Sequence, residues 1–64
     1  MSQLYEVIYS LGEREPSGMF IGEGGMQYLR ITVQATSGTN AQRIVEAMFG
    51  GRNRCLAGPG TLVG

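Results

Sequence analysis

Apolar and polar residues alternate along residues 4–11. Tyr5, Val7, Tyr9 and Leu11 fall on one side, Leu4, Glu6, Ile8 and Ser10 on the other. A two-residue period rich in aromatic and β-branched side chains predicts a strand. The period returns over residues 27–36, where Leu29, Ile31, Val33 and Ala35 point one way and Tyr28, Arg30, Thr32, Gln34 and Thr36 the other. One apolar and one polar face predict a strand with a core on one side and water on the other. Over residues 39–49 the period changes. Ala41, Ile44, Val45 and Met48 recur at i, i+3, i+4 and i+7, the stripe of an amphipathic helix. Thr39 and Gln42 have the spacing of a capping box, Gly50-Gly51 supplies a stop, and Arg43 and Glu46 are spaced to pair on the outer face. A helix of about ten residues does not persist alone in water, so this one is expected to dock on the apolar face of the strands.

Residues 12–26 join the two strands and hold five glycines. Within them Met19, Phe20 and Ile21 form an apolar run, for which two readings compete. In the favoured one the run continues a β-hairpin whose turn is the Gly-Glu-Gly-Gly of residues 22–25, since glycine accepts positive φ. In the other the run is the exposed tip of a loop. The glycines precede a strand, whereas a dinucleotide fingerprint follows one and opens a helix. Residues 54–57 read as a short strand after the helix. Gly58-Pro59-Gly60 then breaks the chain, Pro59 confines any strand there to an edge, and residues 58–64 read as a short strand or a loose tail.

These elements predict one small α+β domain spanning residues 1–64: an antiparallel sheet of two to four strands with one helix packed on one face, in the order β-β-α-β. The expected core is Tyr5, Val7, Tyr9, Leu11, Leu29, Ile31, Val33, Ala41, Ile44, Val45 and Met48, with Leu56 added. Residues 29–48, about a third of the chain, resemble the strand-to-helix passage of double-stranded-RNA-binding domains and of many unrelated α+β modules. The helix here opens Thr39-Asn-Ala-Gln-Arg43, without the lysine-rich start of those RNA-binding domains, and the passage is too generic to assign a family.

Composition changes the picture mainly by subtraction. The chain has five Arg, five Glu, one Cys and no Lys, Asp, His or Trp, so its formal charge is zero. Without His, and with one Cys, a zinc site of the usual N/S ligands and a Ser–His or Cys–His pair are excluded within one chain. Without Lys there is no Schiff base and no P-loop lysine. Glu23 in the Gly-rich stretch is a lone carboxylate with little to work with. The expectation is a non-enzymatic protein without cofactor or metal. No run of about 18 apolar residues predicts a membrane span. The N-terminal residues lack a signal-peptide pattern, and with the lone Cys55 they predict a cytoplasmic setting.

A domain below about 70–80 residues rarely gains more than about 3–5 kcal/mol from its own core unless a disulfide, a metal or a partner contributes. The first two being excluded within the chain, the sequence points to self-association or to an adaptor that modulates a larger protein, an accessory role that small virus-encoded proteins also fill. Leu4, Ile8 and Tyr28 on the outer strand faces, with Met19, Phe20 and Ile21, are the candidate partner-binding residues, since exposed apolar patches mark interfaces. The alternative is a small nucleic-acid-binding module using Arg30, Arg43, Arg52 and Arg54. A second reading of Arg52 and Arg54 is that they complement the helix C-terminus.

Overall fold

The computed structural model describes residues 1–63; of the expected 58–64 tail, Gly64 lies outside the described residues. Strand β1 (Gln3–Arg14) is followed by β2 (Phe20–Gly22), β3 (Leu29–Ala35), helix α1 (Gly38–Met48), β4 (Cys55–Ala57) and β5 (Thr61–Leu62). The class is α+β, with one helix against a five-stranded antiparallel sheet. The expected two to four strands and the order β-β-α-β are corrected to five strands in the order β-β-β-α-β-β. The added strands are two- and three-residue segments, too short to show a period.

Every strand pairs with β1. β3 takes residues 3–9, β2 residues 12–14, β4 residues 9–11 and β5 residues 5–6. Tyr5, Glu6 and Tyr9 each face β3 and also β4 or β5, so those partners occupy opposite edges of β1. Twelve strand residues at about 3.3 Å each account for the molecule's longest dimension of 37 Å.

The connection from β1 to β2 is a hairpin, but its turn is Glu15-Pro-Ser-Gly18 rather than residues 22–25. The Gly18 N–H donates to the Glu15 carbonyl at 2.8 Å and the Glu15 N–H to the Met19 carbonyl at 2.7 Å. Pro16 presets the first central φ, and Gly18 stands at φ 96°, the left-handed position that follows a type I turn in such hairpins. Residues 22–25 instead turn the chain away from β2, with Gly25 N–H donating to the Gly22 carbonyl at 3.2 Å. The Ser10 hydroxyl donates to the Gln27 carbonyl and ties this return segment back to β1.

Helix α1 starts one residue before the expected position. Its cap is Ser37, whose Oγ accepts from the Asn40 N–H at 3.1 Å, while Asn40 Oδ1 accepts from the Thr36 N–H at 3.1 Å. The Thr39–Gln42 capping box is therefore not formed. Gln42 is used elsewhere: its Nε2 donates to the Ala57 carbonyl at 2.7 Å, pinning β4 under the helix. At the other end Gly50 is left-handed, and the Gly51 N–H returns to the Glu46 carbonyl at 2.7 Å, closing the helix in a Schellman-like stop. Arg43 and Glu46 do not pair; the one ion pair among the described residues is Arg54–Glu13.

The core lies between α1 and the odd-numbered face of β1. Val7, Ala35, Ala41, Val45, Cys55 and Ala57 are buried, and Tyr5, Tyr9, Leu11, Ile31, Val33, Ile44 and Phe49 pack around them. Three expected core residues are exposed instead. Leu56 stands opposite Ser10 and so points away from the helix, while its neighbours Cys55 and Ala57 point inward. Met48 is displaced by the next residue: Phe49 stacks on Tyr9 with ring centroids 4.7 Å apart and takes the sheet contact. Leu29 begins β3, which has a neighbour on one side only, and nothing covers it from the other. Gly60 fits the seam between helix and sheet, and its N–H donates to the Gly38 carbonyl at 2.9 Å.

Candidate functional site

With one helix, the sheet has one covered face and one open face. The open face carries the even-numbered side chains of β1 and their cross-strand partners: Leu4 opposite Gln34, Glu6 between Thr32 and Thr61, and Ile8 opposite Arg30. It closes at Ser10, which stands opposite Leu56 but is buried and bonded to Gln27 of the return segment. The Val63 N–H donates to the Leu4 carbonyl at 2.9 Å, which sets Val63 beside Leu4. Leu4, Ile8, Leu56 and Val63 are 45%, 44%, 37% and 47% exposed. They form an apolar band over β1 and the segments beside it, interrupted by the half-buried Glu6. Tyr28 lies just before β3 and is 72% exposed.

Of the expected partner-binding residues, Tyr28 is an exposed residue just outside β3, while Leu4 and Ile8 lie on this face. Leu56 and Val63 join them, and sequence reasoning missed both. The sequence expectation sets Leu56 inward, since a three-residue strand gives no period to reveal its parity. Met19, Phe20 and Ile21 do not extend the band. They lie at the far end of β1, on a hairpin where Phe20 faces Arg14 and Ile21 faces Glu13. Adjacent strand residues point to opposite sides, so Phe20 and Ile21 cannot share one patch. Phe20 is also partly screened, with the Arg14 guanidinium 5.5 Å from its ring centroid.

The arginines do not converge. Arg30 is on the open face beside Ile8. Of the four expected, Arg43 and Arg52 share a shallow cleft of about 250 Å³ that Arg14, Gln42 and Glu46 also line. Arg54 approaches Glu13 at 3.9 Å with both side chains exposed, an arrangement worth little in water. Arg14, outside the expected set, has a structural use: its Nε donates to the Arg52 carbonyl at 3.2 Å and its Nη1 to the Gly18 carbonyl at 3.0 Å. It thereby holds the hairpin turn against the segment after the helix.

A groove of about 550 Å³ at the hairpin end brings Glu13, Glu15 and Glu23 near Arg14 and Arg54. Among the described residues, no group of three carboxylate, thiol or imidazole side chains has metal-binding geometry. Cys55 is buried, and its thiol pKa is pushed up by loss of solvent and then by the Glu46 carboxylate. A thiol held protonated is a poor nucleophile. No helix among the described residues is long and apolar enough to cross a membrane. Compared with known proteins, the chain matches no family model, no curated protein and no solved structure.

Proposed function

We propose that this chain is a small non-enzymatic interaction protein that binds a larger protein, or a second copy of itself, and modulates it as an adaptor. The observation that carries this reading is the open sheet face. Four apolar side chains stand on it with more than a third of their surface in water, and apolar surface exposed on one face of a small domain marks a site of association. The carboxylates of the hairpin groove face arginines rather than a nucleophile and the thiol is buried, which fits a binding role. A reducing compartment such as the cytoplasm suits a lone free cysteine.

Ile8→Glu tests the reading. Ile8 is 44% exposed, so the variant is expected to keep its circular-dichroism spectrum. It should lose a complex that the wild-type chain forms, whether seen as a larger sedimenting mass or as a partner retained from cell extract. A wild-type chain that stays monomeric and retains no specific partner overturns the reading. Binding of RNA or DNA that weakens steeply with salt would replace it by the nucleic-acid alternative, for which Arg43 and Arg52 share a cleft with Arg14.

A further inference from the structure

We infer that two copies of this chain join through the free edge of β3, antiparallel and centred on Thr32, into one ten-stranded sheet. The contact lies at the side of the sheet and is distinct from its open face. The hydrogen bonds of β1 decide which backbone groups remain free. Its even-numbered residues bond toward the C-terminal segment: Gly12 and Arg14 donate to Arg54 and Asn53, and the carbonyls of Leu4 and Ile8 accept from Val63 and Gly58. Its odd-numbered residues therefore bond toward β3, where Gln3, Tyr5, Val7 and Tyr9 face Ala35, Val33, Ile31 and Leu29. In an antiparallel ladder such partners exchange both bonds. The odd residues of β3 are thus used, and the backbone N–H and C=O of Arg30, Thr32 and Gln34 point outward along an edge that no other strand among the described residues occupies.

The two sides of the sheet are not treated alike. On the β4–β5 side the strands have three and two residues, Pro59 stands between them, and the Ala57 carbonyl already accepts from Gln42. These are devices that blunt an edge. Along β3 the sequence Leu-Arg-Ile-Thr-Val-Gln-Ala has no proline, glycine or lysine over seven residues, so the edge is a template for another strand.

The occupant that fits is the same strand reversed. The register that overlaps all seven residues pairs Thr32 with Thr32 of the second copy, Arg30 with Gln34, Ile31 with Val33 and Leu29 with Ala35. Its bonded pairs are the even-numbered ones, which are the residues whose backbone groups are free. The rows alternate correctly as well. Ile31, Val33 and the 40%-exposed Leu29 meet apolar partners on the helix side, while Arg30, Thr32 and Gln34 meet polar ones on the open side. A slip of four residues in one direction would set Arg30 against itself, and like charges directly opposite are destabilising.

The two-fold axis through Thr32 supplies a specific test. Thr32→Lys places two cations face to face across the axis, and Thr32→Glu places two carboxylates there. Thr32 is exposed, so both variants are expected to fold, and because Thr32→Glu also sets a carboxylate opposite Glu6 its fold is checked by circular dichroism. In analytical ultracentrifugation the wild-type chain should sediment at twice its 6.9 kDa. Each variant alone should dissociate at several-fold lower dilution, and an equal mixture of the two should recover the dimer. A wild-type chain that is monomeric at every concentration tested overturns the inference. So does a dimer that survives in the T32K protein. If that dimer is instead lost in the I8E protein, the edge contact fails while the open-face reading of function stands.

Discussion

Two glycines that flank one proline should respond to alanine in opposite directions. A Cβ built on Gly60 lies 2.8 Å from the Ala41 Cβ and 3.0 Å from the Tyr5 Cβ, with the Gly38 Cα at 3.4 Å. The first two atoms sit one bond from backbone, one on the helix and one on the central strand, so neither can swing aside. The helix must lift from β1 by a fraction of an ångström along its first turn. Overpacking of this kind costs about 1–3 kcal/mol, and the lost freedom of the unfolded chain returns about 0.4–1 kcal/mol, for a net loss of about 1–2 kcal/mol. At about 4–8 °C per kcal/mol for a domain of this size, the Tm of Gly60→Ala should fall by about 5–15 °C. At Gly58 the nearest atom to the same Cβ is the Ile8 carbonyl oxygen at 3.9 Å, which is ordinary contact. Only the unfolded-state effect remains there, so Gly58→Ala should gain about 0.4–1 kcal/mol. Thermal and urea unfolding followed by circular dichroism, at one protein concentration because association raises Tm, measures both. A G60A protein that melts at or above wild type, or a G58A protein destabilised as much as G60A, would refute the packing argument.

Val45 and Met48 test the rotation of the helix: Val45 is fully buried and Met48 is 54% exposed. Val45→Ala should therefore cost about 2 kcal/mol and Met48→Ala no more than about 0.5 kcal/mol, and equal losses in urea unfolding would contradict the observed packing. Cys55 carries the pH dependence. Its folded pKa is raised above the ordinary 9.0 by burial and then by Glu46, so the folded state holds the thiol proton more tightly than the unfolded state. That stabilisation is present in full below the ordinary value and is lost as pH rises through the raised one. Wild type should accordingly lose unfolding free energy above pH 9 relative to Cys55→Ala, and parallel curves for the two proteins would refute the assignment.

The strongest periods translated directly into structure. β1, β3 and α1 stand where alternation and the helical stripe place them, because a seven- to twelve-residue element repeats its pattern often enough to be read. What escaped the sequence has local causes. The Pro16–Gly18 turn had its signature in plain sight, but the denser glycines at residues 22–25 competed for the same role. Leu56 was misplaced because strand parity in a three-residue element is set by hydrogen bonds to β1, which composition does not encode. Met48 lost its core position to Phe49, whose stacking partner Tyr9 is 40 residues distant in sequence. The open face was legible in part: Leu4 and Ile8 could be read from β1 itself, whereas Leu56 and Val63 join them only through pairing across the sheet.

Because every strand leans on β1, the order of synthesis matters. β1 is made before any of its partners. The hairpin with β2 closes soon after and shelters only the distal end. Residues 3–9 then wait for β3, and the opposite edge waits for β4 and β5. Roughly fifty residues separate β1 from β5, which at about 5–20 residues per second amounts to about 2–10 s. For that interval a long strand with Val, Ile, Tyr and Leu along it has at least one edge without its partners. The nascent chain therefore carries its greatest hazard of mispairing in the strand that later holds everything together.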